Sequence, residues 1–276
     1  MIAVNIVWAA LVVVAATAVA VTAMLLVRRR APEGSYFSDG DRAAGVFGVL
    51  ATGFSVLLGF IVFLAFTSYD ASRAGAEREA VIVAQQVETA QFFPPAATGE
   101  LTGELVCYGR SVAGEEWDRM ESGTMGDTVN PWGAELFRTL EAVEPATASE
   151  QSAYDKWLDQ TSDREEARND RIHGAAGVIP TPLWFVLFFI SAVIVVYMLF
   201  FADRGERAVV QALLMGSVVA AMSALLLLLA ALDDPFHDGV GGLQPTAMER
   251  TLRIVDQELR IAEQDVSLPC GADGSA

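Results

Sequence analysis

Residues 43–95 read AAGVFGVLATGFSVLLGFIVFLAFTSYDASRAGAEREAVIVAQQVETAQFFPP, and this stretch decides the class of the molecule. Residues 43–68 carry no charge, and about 20 apolar residues suffice to cross a hydrocarbon core about 30 Å thick. Past Ser68 the sequence turns polar, with Glu77, Glu79, Gln85, Gln86 and Glu88 set among Val81, Val83 and Val87. Only Gly75 interrupts the helix-favouring residues before Pro94 and Pro95. Proline stops a helix because it lacks the N–H and clashes with the preceding turn. One helix over about residues 43–93 is therefore expected, projecting well beyond the bilayer at about 1.5 Å per residue.

Three further stretches match its apolar half: residues 2–27, 182–202 and 208–232, none with an ionisable side chain. Lipid satisfies no peptide group, so each must be helical. The first has no basic segment before it and carries Arg28, Arg29 and Arg30 after it, the reverse of a cleaved signal and the mark of a retained anchor. The charge fits this division. Of 276 residues 53% are hydrophobic, yet 35 acids stand against 18 bases, a net charge of -17. That excess excludes nucleic acid as a partner, because phosphate binding needs a basic surface. The deficit has an address: residues 69–179 hold nine bases and 21 acids, and residues from 233 onward hold three bases and nine acids.

Clustered Arg28 to Arg30 place the two short loops, residues 28–42 and 203–207, in the cytoplasm by the positive-inside rule. The long middle segment and the tail then face outward, with Trp8, Tyr69 and Trp184 at the outer interface. The chain has two cysteines, Cys107 and Cys270, which this topology puts on the same oxidising side. They read either as a bridge tying the tail to the middle segment or as two unrelated small apolar residues.

The middle segment reads as helices over about residues 99–120, 131–143 and 146–173, with a glycine-rich loop through Trp132. The apolar face of the last is expected from Tyr154, Trp157, Leu158 and Ile172. The class is an all-α membrane protein, organised as residues 1–93, 94–180, 181–232 and 233–276. No phosphate-binding loop, zinc-spaced cysteine pair, His-Glu-x-x-His or nucleophile elbow is present, so an enzyme is not expected. His173 and His237 lie far apart, and the pairs Glu115/Glu116 and Glu165/Glu166 read as solvated helix faces.

Uncharged spans argue against proton relays and voltage sensors. In the second span Gly48, Thr52, Ser55 and Gly59 fall at steps of four, three and four, and Phe63 and Phe66 extend the same face. Such a stripe serves close helix packing in lipid, or lines a narrow pore gated by dewetting at phenylalanine rings.

Ser55-Val56-Leu57-Leu58-Gly59-Phe60-Ile61-Val62, followed by Thr67-Ser68-Tyr69, resembles the second transmembrane helix of bestrophins, which carries Ser-x-x-Leu-Gly-Phe-x-Val and then Thr-Arg-Trp. Asp234-Pro235-Phe236-His237-Asp238, with Leu243-Gln244-Pro245 and a helix from Met248, is similar to that family's Asn-Pro-Phe-Gly-acidic motif. The likeness is greatest to the bacterial bestrophin-like proteins of unknown function, through residues 59–79, Cys107-Tyr108-Gly109-Arg110, residues 154–163 and 233–242. The resemblance implies a homopentameric channel for small inorganic ions, with neck positions at Thr52, Val56 and Phe60, so the lining is expected to draw on both strips. It also implies a calcium site, whose acids here reduce to Asp233, Asp234 and Asp238, a set that turn chemistry reads first as a capped turn after the fourth span; no other cofactor is expected. Bestrophins keep termini and helical domain in the cytoplasm, opposite to the arginine count, which is preferred here because it comes from this chain. The alternative to a channel is a membrane-anchored envelope protein whose outer helical domain binds or senses a partner.

Overall fold

A computed structural model of the chain describes residues 6–124 and 129–275, and every regular element among them is helical. The four spans are α1 (Ile6–Arg28), the first half of α2 (Gly40–Ala90), and, later in the chain, Thr181–Phe200 and Ala208–Asp233, each apolar enough to cross a membrane. Residues 2–5 of the expected first span lie outside the described residues, as do residues 125–128 of the expected glycine-rich loop.

α2 is 51 residues long, about 75 Å at 1.5 Å per residue. It starts where the Asp39 carboxylate accepts the Arg42 N–H at 3.0 Å and ends ahead of Pro94. α3 (Pro95–Ser111) follows at once, starting before the expected residue 99 because Pro95 occupies a first-turn position where a missing N–H costs nothing. A π turn over Val112–Glu116 leads into α4 (Trp117–Glu121). α5 (Pro131–Glu141) is capped by Asn130, whose side chain accepts the Trp132 N–H. α6 (Ala148–His173) opens with a reciprocal box between Thr147 and Glu150. α7 (Thr181–Phe200), α8 (Ala208–Asp233) and α9 (Thr246–Ile261) complete the order.

In the membrane half, Phe54, Leu58, Ile61 and Ala65 of α2 bury against Leu187 and Ile194 of α7 and Met222 and Leu229 of α8. α1 packs on α8 through Ala20, Met24, Met215 and Val219. A Cβ at Gly216 would touch Thr17 and Val21 at 3.4 and 3.5 Å, the close approach that small residues permit in lipid. The two short loops meet at one end. Arg28 donates to the backbone carbonyls of Asp203 at 3.0 Å and Arg204 at 3.1 Å, and Tyr36 N–H reaches Phe200 O at 3.2 Å. At the opposite end Asp233 Oδ1 accepts the N–H groups of Val178 and Ile179, both at 2.8 Å, tying the segment ahead of α7 to the end of α8.

The extramembrane core is built on Val83 and Val87 of α2, Leu101, Leu105 and Tyr108 of α3, Trp132, Leu136 and Leu140 of α5, Trp157 of α6, and Met248 and Val255 of α9. Here the expected face of α6 needs correction. Trp157 is buried, but Leu158 is exposed. The buried stripe is Ala153, Trp157, Gln160, Arg164, Ala167 and Arg171. Spacing by three and four makes it continuous, and its two arginines are hidden because Gln86 and Glu79 of α2 supply partners for them. Where α6 crosses α2 there is no room for a side chain: a Cβ at Gly75 would lie 2.6 Å from Arg171 N and 2.7 Å from Ala167 O.

Candidate functional site

Successive residues turn by about 100° around a helix. On α2 that places Thr52, Ser55, Val56, Gly59, Phe60, Phe63 and Phe66 on one broad face, roughly opposite Phe54, Leu58, Ile61 and Ala65. The second group is buried. All seven of the first are exposed, Val56 to 68% and Phe60 and Phe63 each to 60%. The two strips expected from resemblance and from periodicity are thus edges of one surface. A Cβ at Gly48, Gly53 or Gly59 would meet nothing within 4 Å. The small residues therefore make room for nothing within this chain, unlike Gly216. Ser55 donates to Ala51 O at 2.9 Å, so its hydroxyl is satisfied by its own helix. Beside the face, a cavity of about 420 Å³ opens between α2, α7 and α8, walled by Phe47, Ser55, Gly59, Ile194 and Met222.

The second motif closes the base of the extramembrane part. Phe236 is 1% exposed and meets Trp117 edge to face at 5.2 Å, with Met120 and Leu243 around it. Tyr69 OH donates to Gly241 O at 2.8 Å, pinning this turn to α2 where the helix leaves the apolar zone. The residues do not fit a calcium ion. Asp233 Oδ1 is taken by two backbone N–H groups, and among the described residues no three His, Cys, Asp or Glu side chains converge on a point. His237 is buried and His173 ends α6. Cys107 and Cys270 form a disulfide across a sequence separation of 163, holding the tail against α3.

One cluster escaped the reading of the sequence. Arg171, fully buried, donates from Nε to Glu79 Oε2 at 2.5 Å, from Nη2 to Glu79 Oε1 at 3.1 Å, and from Nη2 to Glu116 Oε2 at 2.7 Å. Arg168 donates to Glu116 Oε1 at 2.9 Å, and Tyr108 OH to Glu79 Oε1 at 2.5 Å. One turn pair further along, Arg164 donates to Gln86 Oε1 at 2.7 Å and lies 4.6 Å from the centre of the Tyr108 ring. Glu116 is therefore not on a solvated face, as its pairing with Glu115 suggested: it is 3% exposed. Burial alone would raise its carboxyl, but Arg171 and then Arg168 outweigh burial and hold it below its ordinary value. Burial and then Glu79 push the Tyr108 phenol well up. The available signal was a matched spacing: Glu79 and Gln86 are seven apart on α2, as are Arg164 and Arg171 on α6. The effect is to lock α2 to α6 along two turns.

A family model for the bestrophin-like domain matches residues 5–248. The chain belongs to the bestrophin-like family. Among solved structures, a bacterial bestrophin homolog from Klebsiella pneumoniae is similar at 13% identity, with 95% of this chain and 100% of that chain covered and a TM-score of 0.62. A variant of that homolog matches at 14% identity over 94% and 99% of the two chains, TM-score 0.62. Another variant matches at 14% over 91% and 99%, TM-score 0.60. At such identity the likeness speaks for the fold: this bestrophin-like chain shares the helical architecture over nearly its whole length. No functionally curated protein matches it.

Proposed function

We propose that this bestrophin-like protein is a homo-oligomeric ion channel, a pentamer whose central pore is lined by α2 from each subunit. One observation carries the reading. A face of α2 composed of Thr52, Ser55, Val56, Gly59, Phe60, Phe63 and Phe66 is exposed on the single chain, and its glycines pack against nothing in that chain. A hydrophobic constriction of this composition conducts when wet and closes when dry. Mass measurement of the detergent-purified protein should give five subunits, and reconstituted protein should conduct. Phe60→Ala and Phe63→Ala should change unitary conductance; a monomer, or conductance untouched by both, refutes the assignment and favours a membrane-anchored partner-binding protein.

The acidic extramembrane part, with nine bases and 21 acids over residues 69–179, surrounds one mouth of such a pore and concentrates cations there. Cation selectivity follows, and reversal potentials in asymmetric KCl test it: reversal toward the chloride potential rejects it. We also propose that this part faces outward, on the arginine asymmetry and on a disulfide that an oxidising compartment would preserve. A tag on the tail should be labelled by an impermeant reagent in intact cells; labelling only after lysis reverses the orientation.

A further inference from the structure

A cavity of about 600 Å³ lies away from the exposed face of α2, between α3, α5 and the tail. Four carboxylates line it, Glu100 and Glu104 from α3, Glu135 from α5 and Asp265 from the tail, and no lining residue is basic. The deepest is Glu104. It is 6% exposed, its Oε1 accepts the Thr139 hydroxyl at 2.8 Å, and its Oε2 has no hydrogen-bond partner. A buried carboxylate oxygen without a donor is costly, and Glu104 is one of the residues lining the cavity. Burial holds the Glu104 carboxyl above its ordinary value, Glu100 and Glu135 adding to the rise while the Thr139 hydroxyl and Arg138 lower it. Arg138 is itself paired with Glu135 at 2.6 Å, outside the cavity lining.

The rest of the wall is apolar: Pro131, Trp132 and Pro269. Trp132 donates its indole N–H to Gly274 O at 2.7 Å, so the ring is fixed in place. The tail that completes the wall is held equally firmly. A Cβ at Gly103 would lie 2.5 Å from Ser267 O, and the Cys107–Cys270 disulfide adjoins Pro269. The volume falls in the range of small-molecule sites. Among the described residues no three carboxylates converge as a metal ion requires. An acidic floor with apolar, aromatic walls suits a positively charged organic group, which gains from both.

We propose that this cavity binds a small organic cation, an alkylammonium whose N–H groups donate to Glu104 and whose carbon chain lies against Pro131, Trp132 and Pro269. The test is calorimetric titration of the full-length protein in detergent with n-butylammonium chloride. Wild type should bind saturably, Glu104→Gln at least tenfold more weakly, and Asp265→Asn several-fold more weakly, while Glu141→Gln on the exposed side of α5 should match wild type. Asp265 is exposed, so its substitution leaves the fold intact even if Glu104→Gln disturbs it. Absence of saturable heat overturns the proposal, as does wild-type affinity in both cavity variants. Calcium binding lost in those same variants, without alkylammonium binding, overturns it in favour of a metal.

Discussion

Replacing Arg171 with Met keeps an unbranched stem, shorter by the guanidinium end, and removes three hydrogen bonds to carboxylates. Glu116 would retain Arg168 at 2.9 Å and Asn130 Nδ2 at 3.0 Å. Glu79, fully buried, would retain only the Tyr108 hydroxyl. The loss therefore falls on Glu79, an uncompensated charge in the core, and breaking such a pair from one side costs about 3–5 kcal/mol. For a domain of this size about 2–4 °C of melting temperature accompanies each kcal/mol, so a fall of about 6–20 °C is expected. Trp117, Trp132 and Trp157 all lie in the extramembrane part, so intrinsic fluorescence follows its unfolding directly. Adding Glu79→Gln to Arg171→Met should restore most of the loss, because the charge that needed the arginine is gone. A fall of less than about 2 °C, which is under about 1 kcal/mol, would show that water reaches Glu79. Failure of Glu79→Gln to rescue would show that Arg171 acts through packing and not through charge.

Gly75→Ala should lower the same melt by about 1–3 kcal/mol of overpacking, since the new methyl meets α6 backbone that has no rotamer to yield. Cys107→Ala with Cys270→Ala should destabilise the extramembrane part by about 2–4 kcal/mol, read as a lower melt that added reductant no longer changes. Stability should fall in acid. Glu116 titrates below its ordinary 4.5 when folded, so its contribution is complete above that value and disappears as pH falls through the lowered one. Glu104 has the opposite sign: its contribution is present below 4.5 and is lost as pH rises through its raised value. Glu104→Gln should accordingly melt higher than wild type at neutral pH and equally at pH 4; a lower melt at neutral pH contradicts the assignment.

The helical class and the four spans were legible because both rest on composition over tens of residues. The extension of α2 beyond its apolar half was legible because Gly75 and the pair Pro94 and Pro95 were the only punctuation there. The face of α6 was not. Reading buried positions from apolar residues works only where the core is apolar, and there Arg164 and Arg171 occupy core positions because Gln86 and Glu79 stand opposite. The same blindness assigned Glu116 to solvent: a pair of adjacent acids looks solvated until the arginines that claim one of them are known. On the exposed face of α2 the sequence separated two strips by their origin, one from spacing and one from resemblance. In three dimensions they are contiguous, because residues three and four apart share a side of a helix.

The disulfide also keeps a count. Between Cys107 and Cys270 the chain passes through α7 and α8, two crossings, so the two sulfurs can meet only if both spans are inserted or neither is. A chain with one of them left out would strand its cysteines on opposite sides of the bilayer. The bridge therefore forms a covalent ring threaded twice through the membrane, and its presence on a non-reducing gel is a parity check on insertion.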